Sequence, residues 1–361
     1  MDLEQQRQSE ESLQDAAEPQ EQPEQQRTSP DETHGPAPHS GLPDAAQAAL
    51  EPQECHTIDL IRYWWNLPQL DEMQFPEFGN ILRDGRRRHA SRFKVVKLVP
   101  TVDAALAKFL NLSPSQRAQG IAIKARPNSV LSLLPRWSPV RESYLHTDIL
   151  PKNRFLWPAL GAFVGRRYPA LYLVMPRARG DVWEAFKKHP EKFDLPLAIA
   201  EIVLAVKALH EAGLVHRDIA LSNFYISFSG HIALGDMETV TVEGMRETQA
   251  SRLGHTAPEV EGNPFTRLGL EYIAYSKKSD MSSLGAALSK FAWDKGKQET
   301  EQLILDLAKK LQDTDPARRL DFDEIMQHPL FEGIDFDAVE QGLTPPPFKD
   351  SEYTWEGAGF F

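Results

Sequence analysis

Residues 196–213, PLAIAEIVLAVKALHEAG, constrain the fold more than any other stretch. Apolar side chains fall on most sides of a helix, so that helix must be buried and other helices must surround it. Gly213 supplies the stop. Upstream, RFKVVKLV (92–99) and GIAIKARP (120–127) read as strands bounded by Gly and Pro. ALYLVM (170–175) is a nearly continuous apolar run that ends at Pro176, as a buried strand does. Between them, Ser138-Pro139 starts a helix that runs through Glu142 toward Leu150. Strands first and helices later predict an α+β architecture in two segregated parts.

Charge separates this region from what precedes it. Residues 1–55 hold 13 acids and 2 bases, so −11 of the net −12 lies there, in a Gln/Glu/Pro-rich segment predicted to be disordered. The remainder is nearly neutral, which excludes a globally basic nucleic-acid binder. Cys55 is the only cysteine, so neither an internal disulfide nor a multi-cysteine zinc site can form. With no signal-like N-terminus and no apolar run long enough to span a bilayer, the expected setting is intracellular, cytoplasmic or nuclear. IDLIRYWWNL, from Ile58, has helical apolar spacing and is expected to pack on the following domain. Arg86, Arg87 and Arg88 precede Ser91, either a solvated loop or a basophilic phosphorylation site.

The chemistry follows the long helix, in VHRDIALSNFYI (215–226). Phosphoryl transfer needs a carboxylate to take the proton of the attacking hydroxyl and oxygen ligands for Mg2+. Asp218 and Asn223, in one loop between a buried helix and a strand, offer both. HIALGDME then places Asp236 beyond a second strand, where a hairpin brings it toward Asn223. In order and spacing these residues resemble the catalytic and metal-binding loops of the eukaryotic protein kinases. Ala257-Pro258-Glu259, Asp280 at a helix start, Arg319 and the closing QHPLF (327–331) extend the resemblance.

That resemblance implies a two-lobed kinase-like fold, with a small antiparallel β-sheet lobe (92–176) and a larger, mainly α-helical lobe (177–331). Residues 56–91 are then an extension and 332–361 a C-terminal tail. It implies Asp218 as catalytic base, Asn223 and Asp236 as magnesium ligands, and Arg217 as a partner for an activation-loop phosphate. It also implies that Asp280 braces the catalytic loop and that Arg319 pairs with Glu259. Lys97 and Lys124 both end apolar strands, but Glu142 lies 18 residues after Lys124, the kinase separation for the lysine–glutamate pair that fixes the ATP phosphates. Leu98 to Leu106 then stands in the phosphate-covering loop, with Val99, Thr101 and Ala104 where glycines normally lie. Met175 falls at the gatekeeper. Pro176, Arg177 and Ala178 form the hinge, Ala122 and Tyr225 line the adenine plane, and Asp181 faces the ribose.

Other positions depart from the family. Ala220 replaces the lysine usual two residues after the base, and Arg252 stands near a usual threonine. Thr248 is spaced for an activating phosphate. EGIDFDAVEQGLTPPPFK after Phe331 resembles the first part of the AGC-group tail, and Phe360-Phe361 could fold back onto the small lobe. The leading expectation is an ATP- and Mg2+-dependent Ser/Thr kinase acting on protein substrates. The alternatives are a pseudokinase scaffold, favoured by the glycine-free loop, and a small-molecule phosphotransferase.

Overall fold

A computed structural model describes residues 63, 66–79, 81, 95–127, 138–167, 170–247, 256–261, 273–292, 299–350 and 352–353. Every described residue lies in the unit Leu50–Phe361. Ser91, Thr248, Arg252, Phe360, Phe361 and the acidic segment 1–55 lie outside the described residues. Among the described residues no helix is long and apolar enough to cross a membrane.

The small lobe is a five-stranded sheet in the order β1–β4–β5–β3–β2. Its strands are β1 (Gln69–Leu70), β2 (Val95–Val99), β3 (Ile121–Pro127), β4 (Gly161–Gly165) and β5 (Ala170–Pro176). All pairings are antiparallel except β1 with β4, which is parallel. The sheet period of two sorts β3 onto two faces. Ile121, Ile123 and Ala125 join Tyr172 and Val174 in a core closed by Leu70, Phe75 and Phe78. Ala122 and Lys124 face the other way, opposite Met175 and Leu173 of β5. Residues 69–81 therefore help to build a lobe that the sequence reading began at residue 92.

One sequence expectation is corrected here. Leu98 to Leu106 is not a phosphate-covering loop. Val99 pairs with Ile121, which in turn pairs with Pro176, so this end of the sheet adjoins the hinge and not the phosphates. The chain then enters α1 (Ala104–Phe109) and α2 (Pro114–Gln119). Asp103 caps α1 by accepting from the Leu106 N–H at 2.7 Å, and Ser113 with Gln116 forms a capping box on α2. Leu106 is fully buried in the core on the far face of the sheet, so it cannot touch nucleotide in the cleft. Leu98, paired with Ala122, stays on the cleft face. Asp103 and Ser113-Pro114 are both local helix-start signals. Gly120 closes the excursion at φ +86°, and a Cβ there would sit 2.4 Å from the Val99 carbonyl oxygen.

Helix α3 (Ser138–Tyr144) continues as one wider π-helical turn, Leu145–Ile149, and lies against the sheet. The large lobe opens with β6 (Gly180–Asp181) and α4 (Val182–Lys188) and is built around α5 (Leu195–Glu211). Pro196 in the first turn and Gly213, at φ +74°, bound α5 close to where the sequence places its ends. Nearly every side chain of α5 from Leu197 to His210 is buried. Its two buried polar side chains are anchored: Glu201 accepts from His231 Nδ1 at 2.6 Å and from the Ile232 N–H at 2.7 Å, and His210 Nε2 lies 2.9 Å from Asp280 Oδ2. Short strands β7 (Leu214–Val215), β8 (Phe224–Ile226), β9 (Ile232–Leu234) and β10 (Thr241–Val242) carry the loops above it. Helices α6 (Lys277–Leu288) and α7 (Glu299–Leu311) complete the core, Gly285 of α6 allowing close approach to α7.

The C-terminal segment returns along this lobe. The Asp194 N–H donates to the Pro347 carbonyl, Phe348 is buried, and Arg179 Nε donates to the Tyr353 carbonyl at 3.0 Å.

Candidate active site

Three segments converge between the lobes. From β3, Lys124 donates to Glu142 Oε1 of α3 at 2.5 Å and to Asp236 Oδ1, from the loop after β9, at 2.8 Å. The lysine is only 1% exposed. Burial alone would pull its pKa down, but Asp236, Glu142 and Glu238 together outweigh burial and raise it, so the ammonium is held charged. Lys97, the competing candidate, instead donates to the Glu77 carbonyl at 2.9 Å on the small lobe.

Asn223 and Asp236 are brought together by the β8–β9 hairpin, whose register pairs Phe224 with Leu234. The Gly235 N–H donates to the Asn223 carbonyl at 2.8 Å, which ties the two loops directly. Asn223 Nδ2 donates to the Asp218 carbonyl at 2.7 Å and to Asp218 Oδ2 at 3.2 Å, which turns its Oδ1 to the side where a cation can be taken. Asp236 has φ +53°, a left-handed backbone uncommon outside glycine. Arg217, beside Asp218, has φ +73°. Asp280 holds that second strained turn: its Oδ1 accepts the Arg217 N–H at 2.8 Å and its Oδ2 the His216 N–H at 2.6 Å.

The arginine of this loop is 4% exposed. Its guanidinium lies 4.5 Å from the Tyr275 ring centroid and donates to the Thr239 carbonyl at 3.0 Å. Arg319 makes the expected bidentate pair with Glu259, 2.6 Å on each arm.

On the nucleotide side, Leu98, Ala122 and Met175 lie abreast across three strands. Met175 and Tyr225 share a cluster with Trp157, Leu173 and Ala233, and Ala178 packs against it. The Tyr225 ring meets Trp157 edge-on at 5.5 Å and fills the space beside Gly235, where a Cβ would fall 2.2 Å from the ring. Asp181 caps α4 by accepting from the Glu184 N–H at 2.8 Å. Burial pushes its carboxyl up to about 6, the backbone bond opposing.

Sequence reading overlooked three residues here. Arg126 and Glu238 form an ion pair beside Lys124. The signal for Arg126 was the period of two, which puts it on the face of Lys124. His146 lies one turn beyond Glu142, and among the described residues neither of its ring nitrogens has a hydrogen-bond partner. Burial first, then the Lys124 charge, pushes its imidazole down to about 3. The unfolded value, about 6.5, is higher, so the unfolded chain takes up the proton first and the stability this neutral ring contributes is lost as pH falls from about 6.5 toward 3. His146→Leu removes two unsatisfied nitrogens and this acid sensitivity. It should raise the melting temperature at pH 7.5, consistent with about 1–3 kcal/mol, and widen the gap by about 1.4 kcal/mol at pH 5.5. Paired melts at the two pH values check it, and an equal shift at both would contradict the titration.

A sheet lobe donating a buried lysine to a glutamate, over a helical lobe presenting Asp218, Asn223 and Asp236, defines the protein-kinase-like class. Comparison with known proteins agrees. The protein kinase domain family matches residues 162–302. Bradyzoite pseudokinase 1 of Toxoplasma gondii is 32% identical, over 79% of this chain and 78% of that protein. Serine/threonine-protein kinase WNG1 of Toxoplasma gondii is 34% identical over 80% of this chain, which spans only 43% of WNG1. A solved structure, described as a divergent kinase lacking the glycine-rich loop that regulates membrane ultrastructure of the Toxoplasma parasitophorous vacuole, superposes with a TM-score of 0.64. It is 28% identical and covers 80% of this chain and 97% of its own. The chain belongs to the eukaryotic protein kinase family, as a divergent member.

Proposed function

We propose that the protein is an Mg-ATP-dependent Ser/Thr kinase acting on protein substrates. The observation that carries this reading is Lys124, held by Glu142 and Asp236 from two different lobes at 2.5 and 2.8 Å. The donor set suits a magnesium nucleotide: a carboxylate and an amide oxygen for the cation, and a buried ammonium for phosphate oxygens. Asp236 and Asn223 would hold Mg2+, which when bound neutralises charge on the triphosphate. Asp218 takes the proton of the substrate hydroxyl as its oxygen bonds to the γ-phosphorus and the bond to the bridging β–γ oxygen breaks, leaving ADP. Ala220, 4% exposed, offers no cation to the transferring phosphate, so that charge falls to Lys124 and the metal.

A pseudokinase reading is favoured by one observation, the Tyr225 ring packed against Gly235 where adenine approaches. A pseudokinase also stands among the relatives. Against it, the solved neighbour is described as a kinase that lacks the glycine-rich loop, so a missing loop does not by itself imply inactivity.

Labelled Mg-ATP with a generic basic protein tests the proposal. Transfer by the parent that falls by about 10²-fold or more in Lys124→Met supports it. Neither transfer nor a thermal shift with Mg-ATP in the parent would give preference to the scaffold.

A further inference from the structure

A second ion pair crosses the cleft beside Lys124. Arg126 lies two residues further along β3 on the same face, and its Nη2 contacts Glu238 Oε2. The side chains are 7% and 25% exposed, so the pair is largely out of water. The same glutamate oxygen is 3.6 Å from Lys124 Nζ. Glu238 belongs to the 3-10 turn Met237–Thr239, whose cap is the left-handed Asp236.

We infer that Arg126 and Glu238 are positioning residues that lock the turn bearing Asp236 to the strand bearing Lys124, and so set the gap into which a magnesium nucleotide fits. The inference deepens the proposed kinase function and rests on it for the nucleotide. The argument is geometric and electrostatic. Lys124 itself links the lobes through Asp236, but phosphate oxygens entering the gap would compete for that ammonium. Some other contact must then keep the strained Asp236 turn at its distance from β3. The chain between β2 and β3 does not supply it, because α1 and α2 carry it to the far face of the sheet. The Arg126–Glu238 bridge spans the same two elements and leaves Lys124 available.

Charge points the same way. Carboxylate oxygens of Glu142, Asp236 and Glu238 lie within 4.8 Å of one another. With Lys124 alone against three carboxylates, the site would repel a triphosphate, and Arg126 offsets the third. Losing Arg126 takes the nearest cation from a part-buried carboxylate, and losing Glu238 takes a carboxylate from beside a part-buried guanidinium, so neither single loss is neutral.

The test uses the full chain as parent, Arg126→Gln, Glu238→Gln, the double Gln variant, and the swap Arg126→Glu with Glu238→Arg. Mg-ATP affinity is read by displacement of a fluorescent ATP analogue, and urea unfolding is followed without nucleotide. Each single Gln change should weaken Mg-ATP by about ten-fold, about 1.4 kcal/mol, while the KM for the protein substrate stays put. The swap should recover affinity to within about three-fold of the parent. Single variants within about two-fold of the parent, or losses that simply add in the swap, overturn the lock. If the parent binds no nucleotide, the proposed function falls, and the unfolding midpoints decide the lock alone. Non-additive midpoints across the Gln cycle support it and additive ones refute it.

Discussion

Asp218→Asn should lower phosphoryl transfer by about 10²–10⁴-fold, with Mg-ATP affinity within about two-fold of the parent. The split follows from what the residue touches. Its Oδ2 is 3.2 Å from Asn223 Nδ2, and its own backbone carbonyl takes the second bond from that amide at 2.7 Å. The backbone contact survives substitution, so Asn223 keeps its orientation. The lysine, Glu142 and Asp236 are on other segments and are untouched. Asparagine is isosteric with aspartate, but its side-chain oxygen is a far weaker base. The loss therefore belongs in kcat, which an interaction made only in the transition state removes. Steady-state kinetics with a peptide substrate, beside nucleotide titration, separate the two quantities. A variant that keeps half its turnover would assign the proton to another group. One that loses nucleotide affinity in proportion would mean Asp218 builds the pocket and not the reaction.

The second large effect is on stability. Asp280→Ala should destabilise the folded chain by about 4 kcal/mol, a melting shift of roughly 10 °C for a domain of this size. Asp280 is 1% exposed and serves three groups, the His216 and Arg217 N–H groups and His210 Nε2 at 2.9 Å. Alanine leaves all three buried without an acceptor. It also releases Arg217 from its φ of +73°, so the backbone leading into Asp218 relaxes and transfer falls beyond what unfolding explains. Asparagine should lose less, since its carbonyl oxygen serves one N–H while its NH2 opposes the other. Burial would raise the Asp280 carboxyl, but the hydrogen bond and charge of His210, helped by His216, outweigh it and hold it below the usual range. A carboxylate lowered on folding contributes its stability above the unfolded value of about 3.9, and this is lost only as pH falls below it. The parent–alanine gap should therefore be flat from neutral pH to about pH 5 and narrow below pH 4. A melting temperature within about 3 °C of the parent would show that water replaces the carboxylate.

The fold and much of the site were legible because their signals are local. A helix apolar on most sides, strands bounded by Gly and Pro, and the Asp218–Asn223 spacing each report within a dozen residues on what the chain must do. The Lys124–Glu142 separation likewise named two side chains that meet at 2.5 Å. The small lobe was read less well, for a physical reason. Whether Leu106 looks into a cleft or a core depends on which way the chain turns after Val99. The caps Asp103 and Ser113 turn it into helices that bury Leu106 on the far face of the sheet.

The sequence by itself determined the division into a strand-rich and a helix-rich part and the residue types of the site, because periodicity and spacing act within one segment, and its resemblance to the protein kinases pointed to the class. Only the tertiary structure decided that Arg126 meets Glu238, that both ring nitrogens of His146 are buried with no hydrogen-bond partner among the described residues, and that Arg217 lies on Tyr275. Arg126 and Glu238 lie 112 positions apart and Arg217 and Tyr275 lie 58 apart, so no local pattern encodes the distance between them.

 The register of the sheet and the packing of one lobe on the other set those contacts; burial then keeps the His146 ring neutral, while the neighbouring carboxylates keep Lys124 charged.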